Sequence, residues 1–383
     1  MVGNRKTLII SFIFILLVPA LVSARTTESI DVQAAGAVIM DQKTGRVFYG
    51  KNEHEKMRIA SITKIMTAII AIESGKLDDL VTVSERAVKA EGSSIYLQRG
   101  EKIRLEDLVY GLMLRSGNDA AIAIAEHVGG SVEGFVYLMN EKAREIGMTN
   151  TYFSNPHGLD DHEEHYSTAY DMALLTRYAL ENETFRKISG ARLHRVPHPE
   201  GWMREWTNKH KLVRGLYPYA NGGKTGYTRR ANRTLVTTAE KDGMELIAVT
   251  LNSRSSTDWQ DHIEMFEHVF TAYEYVTVVE AGTVEVVKNP VYRGKAYLKN
   301  SFIYPVTEDE KERFSIKYRM VKPEKSWKRN EKRIPEIIGK AEIYFGNELV
   351  HTMPVYYQRS EDPSFFKRFG KMFMDLIGVR DHD

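Results

Sequence analysis

Three short motifs in this chain carry the residue types that acyl-transfer chemistry needs. They are Ser61-Ile62-Thr63-Lys64, Ser116-Gly117-Asn118 and Lys224-Thr225-Gly226. A serine hydroxyl is a weak nucleophile until a base removes its proton, and lysine can be that base once burial or a second cation lowers its pKa. Residues three apart on a helix share one face, so Ser61 and Lys64 can meet. The ordered set favours Ser61 as a nucleophile and Lys64 as its base, with Lys224 as the second cation.

Each motif taken alone is weak, because such short patterns recur by chance. The chain holds a second S-x-x-K at Ser364-Phe365-Phe366-Lys367 and a second K-T-G at Lys43-Thr44-Gly45. Taken alone, Ser61 could be an ordinary helix N-cap and Lys64 a lysine that reaches to solvent. Context separates the two sets, since Ser61 begins a long apolar helix, whereas the second S-x-x-K lies in the tail and the second K-T-G in a hairpin turn.

The ordered set resembles that of penicillin-binding proteins and class A β-lactamases. Its Ser-Gly-Asn middle motif is similar to that of the D-alanyl-D-alanine carboxypeptidases of the serine peptidase S11 type, and the resemblance extends over residues 34–275. The stretch 201–251 resembles the sporulation-type members of Gram-positive bacteria. Further matching segments are Leu114–Ala121, Asn155–Leu159, His165–Asp171 and Gly223–Thr228.

The resemblance implies a catalytic role for three residues. Ser61 would be the acyl-ester nucleophile, Lys64 the proton acceptor, and Ser116 the relay that passes the proton to the leaving D-alanine. The backbone N–H groups of Ser61 and Tyr227 would form the oxyanion hole.

The same resemblance implies the substrate-binding residues. Asn118 would hold the peptide amide, Lys224 and Thr225 would bind the terminal carboxylate, and Gly226 would let the substrate lie against a strand. Arg254, which follows the last strand of the first domain, is a further candidate for the carboxylate.

The implied activity is removal of the terminal D-alanine from peptidoglycan stem peptides through an acyl-enzyme. β-Lactam antibiotics, which mimic that substrate, would acylate Ser61. Two alternatives share the motifs: a β-lactamase of the same fold, which differs in fast deacylation of the drug, and a non-catalytic penicillin sensor.

The elements that must position the motifs follow from the hydrophobic pattern. Short β-rich runs flank 41–45 and predict a hairpin, and 59–74 is apolar almost all round, which is typical of a buried helix. Helix is expected over 105–128, with a break at 116–118, and over 133–146 and 169–181. Strands are expected at 233–238 and 246–251, and a closing helix at 258–275. The fold class is thus α+β (α/β), a penicillin-binding/β-lactamase-like domain over 25–275 with a helical cluster.

Beyond residue 275 the residue pattern changes to short β-rich runs with turn signals between them, which predicts a small all-β domain over 276–360. The charged stretch 322–333 within it is interpreted as a solvated loop.

Both ends of the chain carry membrane signals. Residues 1–24 combine a basic start, an apolar run and a small-residue cleavage site, which predicts a secretory signal peptide. Residues 361–383 predict an amphipathic anchor helix, because one face is aromatic and apolar while basic residues outnumber acidic ones. The protein is therefore expected to be exported across the cytoplasmic membrane and attached to its outer face through the C-terminal helix. That helix docked on the protein itself is the alternative.

Composition excludes other classes. The 53 basic and 51 acidic residues leave a formal charge of +2, which argues against a nucleic-acid partner, and the chain has no cysteine for a disulfide or a thiolate nucleophile. His157, His162 and His165 lack a zinc-binding spacing and are assigned structural or solvent-facing roles. No metal and no cofactor is expected.

Overall fold

The computed structural model of the chain describes residues 30–198, 200–287, 289–327 and 329–359. The predicted signal peptide and the predicted anchor helix lie outside the described residues. Within those ranges, no helix is both long enough and apolar enough to cross a bilayer.

The first unit is built on a five-stranded antiparallel sheet in the order β2-β1-β9-β8-β7. Two small antiparallel pairs, β3-β4 and β5-β6, accompany it. The strands are β1 (Gly36–Asp41), β2 (Val47–Lys51), β3 (Leu80–Thr82), β4 (Lys102–Arg104), β5 (Leu193–Pro197), β6 (Met203–Thr207), β7 (Ala220–Thr228), β8 (Asn232–Lys241) and β9 (Met244–Ser253).

Eight α-helices and two further helical turns complete the described part of this unit. The turns lie at Ala60–Thr63 and Leu212–Leu216. The helices are α1 (Lys64–Glu73), α2 (Glu85–Val88), α3 (Leu105–Arg115), α4 (Asn118–Gly129), α5 (Val132–Ile146), α6 (Ala169–Ala179), α7 (Glu183–Gly190) and α8 (Asp258–Ala272).

The sheet is buried on both faces, which explains why its central strands read as continuous apolar runs. In β1, Val38 and Met40 belong to the core shared with α1 and the other helices of the cluster. The alternate residues Ala37 and Ile39 belong to a second core against α8. Because successive side chains of a strand point to opposite faces, one short strand serves both cores. The expected penicillin-binding-like α/β arrangement is confirmed.

The buried helix predicted over 59–74 begins later than expected. A 3₁₀ turn spans Ala60–Thr63 and the α-helix begins only at Lys64. Ala60 has a φ of +49°, and the Thr63 hydroxyl donates to the Ala60 carbonyl over 2.8 Å. This local bond closes a tighter turn before the helix, so Ser61 lies in the turn rather than at the start of a regular helix.

The hydrophobic pattern predicted the strand that follows the Lys224 motif, which is β8, but no strand at the motif itself. The motif lies within β7, which pairs with β8 from Ala220↔Ala239 to Thr228↔Asn232. Backbone pairing along the ladder outweighs the low β propensity of the glycines in this segment. The hairpin of β5 and β6 was not foreseen. The closing helix ends at Ala272 rather than 275, because β10 follows at once.

The second unit is all-β, as expected. Its strands form a pair, β10-β13, and a five-stranded sheet in the order β11-β12-β16-β15-β14. Two 3₁₀ turns lie at Glu308–Arg313 and Glu331–Arg333. The strands are β10 (Glu274–Val279), β11 (Gly282–Thr283), β12 (Ala296–Leu298), β13 (Phe302–Val306), β14 (Phe314–Met320), β15 (Ile337–Phe345) and β16 (Glu348–Tyr357).

Arg46 of the first unit contacts several residues of the second unit. The Arg46 guanidinium pairs with Glu310 at 2.8 Å and donates to the Pro305 carbonyl at 2.5 Å. It also stacks over the rings of Tyr304 and Phe345, whose centroids are 5.4 and 4.9 Å away. Because the planar Arg46 guanidinium forms hydrogen bonds and stacks on aromatic rings at the same time, it fixes the orientation of this end of the second unit.

Candidate active site

The site is assembled where the 3₁₀ turn at Ala60–Thr63 meets β7. The Thr234 hydroxyl of β8 donates to the Ile59 carbonyl over 2.9 Å and ties the turn to the sheet. A Cβ placed on Gly226 would lie only 2.9 Å from the backbone nitrogen of Ser61. Glycine at 226 therefore lets β7 pass directly against the turn, and brings the Ser61 N–H next to the Gly226–Tyr227 segment.

A second glycine supports the turn from the other side. Gly158 has a φ of +89°, and a Cβ on it would lie 1.9 Å from the Ala60 carbonyl oxygen. Ala60 itself holds the uncommon positive φ noted above. Backbone strain of this kind persists only where surrounding contacts over-determine it, and it is concentrated at functional sites.

Lys64 is completely buried and its ammonium has three acceptors. Its Nζ lies 3.0 Å from Ser61 Oγ, 2.7 Å from Asn118 Oδ1 and 2.6 Å from the His157 carbonyl oxygen. Ser61 and Lys64 thus meet as the spacing predicted, although through a 3₁₀ turn. The arrangement fixes the Lys64 nitrogen against the hydroxyl that it would deprotonate.

The middle motif lies at the junction of α3 and α4. Ser116 ends α3 in the left-handed conformation with a φ of +66°, and this break turns its side chain toward the site. Lys224 Nζ donates to Ser116 Oγ over 3.1 Å. Asn118 accepts from Lys64 and donates through Nδ2 to the Glu91 carbonyl. Both polar ends of the Asn118 amide are therefore engaged with the protein, so this residue positions Lys64, and its predicted contact with the peptide amide stays a prediction.

The last motif lies in β7, which is the terminal strand of the sheet. Lys224 points inward and is 1% exposed, with its Nζ also donating to the Thr225 carbonyl over 2.6 Å. Thr225 and Gly226 are half-buried, and Tyr227 is 64% exposed at the rim. An edge strand leaves backbone donors and acceptors for an extended peptide, which fits the binding role assigned to this segment.

Two buried ammonium groups make the site electrostatically unusual. Burial holds the pKa of Lys64 well below its ordinary value, and the charge of Lys224 lowers it further. Burial and the charge of Lys209 lower the pKa of Lys224 to about 7. Because burial and a like charge both disfavour the charged form, Lys64 has the pKa shift that a lysine base requires.

Lys209 was missed by the sequence analysis. It follows β6, its backbone N–H donates to the Leu114 carbonyl over 3.0 Å, and its Nζ lies 3.3 Å from Ser93 Oγ. Partial burial and Arg115 lower its own pKa, although part of the side chain is open to solvent. No motif marks this residue, and only the unforeseen β5–β6 hairpin brings it to the site.

Lys209 gives a test of the electrostatics. We expect Lys209→Met to raise the pKa of both Lys64 and Lys224, so the acid limb of the β-lactam acylation rate should move ~0.5–1 pH unit upward. Acylation at neutral pH should fall and should recover at higher pH. The rate profile between pH 5 and 10 measures this, with Lys211→Met as the matched control. An unmoved limb would remove Lys209 from the electrostatic argument.

A loop beside the site is fixed by one buried carboxylate. Asp119 accepts the Ser94 hydroxyl at 2.6 Å and the backbone N–H groups of Ile95 and Leu97, each at 3.1 Å. The Asn118 N–H donates to the Ser93 carbonyl at 2.7 Å. The loop that faces the middle motif is therefore ordered by the residues of that motif and its neighbour.

Two of the three histidines, His157 and His165, are buried in the protein interior. His165 Nε2 shares a 2.8 Å hydrogen bond with the Thr63 hydroxyl, and burial lowers the pKa of His165 to about 3. Burial and Lys64 lower the pKa of His157 to about 3. Among the described residues, no group of three or more histidines and carboxylates could hold a metal ion. Arg254 lies in a surface pocket with Lys51, and no described hydrogen bond joins it to β7.

Comparisons with known proteins agree with this geometry. Residues 23–255 match the family model described as D-alanyl-D-alanine carboxypeptidase, Peptidase_S11, and residues 273–362 match that of the penicillin-binding protein 5 C-terminal domain. The chain is similar to D-alanyl-D-alanine carboxypeptidase DacF of Bacillus subtilis, with 36% identity over 70% of this chain and 71% of the relative. It is also similar to DacC of Escherichia coli, with 34% identity over 70% and 69% of the two chains.

Solved structures show the same two-unit fold. The carboxypeptidase DacD of Francisella tularensis superimposes with a TM-score of 0.66 and 26% identity, over 93% of this chain and 97% of that chain. Penicillin-binding protein 5 of Haemophilus influenzae superimposes with a TM-score of 0.71 over 86% and 98%, and its 24% identity supports the fold alone. The match of one family model to well over half of the chain, together with these relatives, shows that the chain belongs to the D-alanyl-D-alanine carboxypeptidase family of S11 serine peptidases.

Proposed function

We propose that the chain removes the terminal D-alanine of peptidoglycan stem peptides through an acyl-enzyme on Ser61. One observation carries this assignment: a buried lysine with a strongly lowered pKa lies 3.0 Å from the hydroxyl of Ser61. The activity is that of a serine-type D-Ala-D-Ala carboxypeptidase, and the second buried lysine, Lys224, supplies the charge for a carboxylate-terminated substrate.

The reaction follows from the positions of these groups. Ser61 Oγ attacks the carbonyl carbon of the penultimate D-alanine while Lys64 takes the hydroxyl proton. The N–H groups of Ser61 and Tyr227 stabilise the oxyanion. The C–N bond then breaks, and the proton held by Lys64 passes through Ser116 to the amine of the leaving D-alanine. Water attacks the ester carbonyl and gives a proton to Lys64, which returns it to Ser61 Oγ as the ester bond breaks, so that Ser61 is regenerated.

Lys224 and Thr225 select the substrate end. The Lys224 ammonium already bonds Ser116 and the Thr225 carbonyl, so it is held at the inner side of β7, where a terminal carboxylate would lie. A buried cation beside an open strand edge favours an anionic C-terminus over an extended chain that continues. This explains removal of one residue rather than cleavage within a peptide.

Two measurements test the proposal together. Mass spectrometry of penicillin-treated protein should show one penicilloyl adduct on Ser61, and a peptide ending in D-Ala-D-Ala should release D-alanine. A β-lactamase of the same fold would lose the adduct within seconds while sparing the peptide. A non-catalytic sensor would keep the adduct and release no D-alanine.

We further propose that the enzyme works outside the cytoplasmic membrane. Residues 1–24 are proposed as a cleaved signal peptide and residues 361–383 as a helix that attaches the protein to the outer membrane face. We also propose a sporulation-type role, which the resemblance of residues 201–251 to the sporulation-type members of Gram-positive bacteria supports. Transcript levels followed through spore formation test that role.

Removal of residues 364–383 tests the anchor. We expect the truncated protein, made without its signal peptide, to leave the membrane fraction and to keep its D-alanine release within about twofold, because the three motifs lie over a hundred residues earlier. An interfacial helix binds by apolar burial and by attraction to anionic lipid, so high salt should weaken the full-length attachment. If the helix docks on the protein, truncation would instead lower the melting temperature and leave partitioning unchanged.

A further inference from the structure

The segment between β14 and β15 exposes an unpaired positive charge. We call residues 322–327 and 329–333 the basic loop. Its described carboxylates are Glu324 and Glu331, and Glu331 is engaged by Lys295 at 2.7 Å and by the Tyr357 hydroxyl at 3.0 Å. Five exposed cations form no ion pair with any residue that the structure describes; they are Lys322, Lys325, Arg329, Lys332 and Arg333.

Buried side chains and local hydrogen bonds fix the backbone of the basic loop. Trp327 and Ile334 are 8% and 2% exposed and belong to the core of the second unit. The Val321 N–H donates to the Ile338 carbonyl over 2.8 Å, and Asn330 Oδ1 accepts from the Lys332 N–H over 3.0 Å. Apolar anchors and local bonds hold the backbone, so the cations point outward with little further loss of backbone entropy on binding.

The loop lies at the end of the sheet where the chain departs toward its tail. β14 and β16 both run antiparallel to β15, with Met320 opposite Gly339 and Tyr356 opposite Ile337. The end of β14, the start of β15 and the end of β16 therefore share one edge. A direct bond confirms the neighbourhood, because Arg359 Nη2 donates to the Ile334 carbonyl over 3.0 Å.

The other end of the same sheet faces the first unit, which carries the three motifs and which we call the catalytic unit. Phe345, at the far end of β15, stacks under the Arg46 guanidinium at 4.9 Å. The nine residues of β15 are separated by eight intervals of about 3.4 Å, so the strand spans roughly 27 Å from its first to its last residue. The second unit thus separates the basic loop from the catalytic unit by the length of a strand, and puts the loop beside the origin of the tail.

We propose that the basic loop is a second membrane contact, which binds the anionic phospholipid surface to which the tail attaches. The inference rests on the proposed attachment through the C-terminal helix. Each unpaired cation within a Debye length of an anionic surface raises the membrane affinity of the protein about fivefold. A single weak membrane anchor gives stable attachment when a basic patch binds the same membrane. The loop lies at the same edge of the sheet as Arg359, the last described residue before the tail, so the loop is close to the point from which the tail continues.

Vesicle binding tests the proposal on protein made without residues 1–24. The loop variant carries Lys325→Gln, Arg329→Gln, Lys332→Gln and Arg333→Gln. The control variant removes four exposed, unpaired cations from the catalytic unit: Lys76→Gln, Lys102→Gln, Lys187→Gln and Arg192→Gln. Sedimentation with vesicles of phosphatidylcholine and phosphatidylglycerol in a 3:1 ratio, and with phosphatidylcholine alone, measures each affinity.

We expect the loop variant to bind anionic vesicles several hundred-fold more weakly than wild type, at about fivefold for each of the four cations removed, with little change on neutral vesicles. The control variant should lose at most a few-fold, and D-alanine release should be unchanged in both. Raising NaCl from 50 to 500 mM should weaken wild type far more than the loop variant.

Other outcomes overturn the proposal. Equal affinity of the loop variant and wild type, with binding lost on removal of residues 364–383, would leave the tail as the anchor and exclude the loop. Failure of wild type itself to bind vesicles would refute the attachment as well. Loss of binding by the loop variant to poly(glycerol phosphate), with vesicle binding intact, would assign the loop to a wall polymer instead of lipid.

Discussion

Ser61→Ala is expected to eliminate both penicillin labelling and D-alanine release. The hydroxyl oxygen of Ser61 is the atom that would form the acyl bond, so no neighbouring group can replace it. Loss of a serine nucleophile that acts with its base lowers turnover by about 10⁵-fold or more. Mass spectrometry after penicillin treatment and a D-alanine assay on a soluble peptide measure the two effects. Ser61 is only half-buried and its hydroxyl contact is with Lys64, so the variant should fold and keep its melting temperature within a few degrees.

Ser364→Ala is the matched control, because Ser364 begins the other S-x-x-K in the chain. This variant should be labelled at the wild-type rate. A penicilloyl adduct that persists in Ser61→Ala and maps to Ser364 would show that the wrong motif had been chosen. Labelling that persists elsewhere in the catalytic unit would contradict the acyl-enzyme at Ser61 just as directly.

The contact of Ser61 with Lys64 could be predicted because it depends on local spacing. Both the 3₁₀ turn and an α-helix bring residues three apart together, so the error in helix start did not disturb the pair. The neighbourhood of Ser116 and Lys224 is different in kind. It joins residues 108 apart in the chain over 3.1 Å, and only the order of the motifs and the family resemblance pointed to it.

Other parts of the site carried no readable signal. Lys209 reaches it through a hairpin whose strands are short and partly charged, and no spacing marks it. The engaged amide of Asn118 and the loop fixed by Asp119 depend on tertiary packing between α4 and the segment before β4. The strand that contains Lys224 was obscured by its glycines, whose low β propensity is outweighed by pairing with β8.

In the second unit, too, part of the structure could not be predicted from the sequence. Its β character followed from composition, but the interpretation of 322–333 as a solvated loop missed two anchors. Trp327 interrupts the charged run, Ile334 directly follows it, and both are buried. Their burial became visible only with the core around them, and it changes the segment from an unstructured loop to a fixed surface that presents cations at one edge of the sheet.

Lys64→Arg is expected to be nearly as damaging as Lys64→Ala, with acylation by penicillin lowered by about 10³–10⁴-fold in both. Arginine keeps the positive charge but does not lose its proton in a protein, so it cannot accept the Ser61 proton. Lys64 is completely buried among fixed acceptors, and its low pKa is the property that arginine cannot reproduce. Stopped-flow acylation between pH 6 and 10 measures both variants.

Both variants also disturb packing, so a lost rate alone would not separate a base from a structural lysine. Lys64→Ala leaves the side-chain Oδ1 of Asn118 and the backbone carbonyl oxygen of His157 without their donor, and Lys64→Arg places a larger group in the same space. Added methylamine provides the distinction, since a small amine can enter the cavity left by Lys64→Ala and take the Ser61 proton. We expect it to restore part of the acylation rate in Lys64→Ala, more at higher pH, and none in Ser61→Ala. Near wild-type acylation by Lys64→Arg would contradict the general-base role, because only electrostatic attraction would then be required of residue 64.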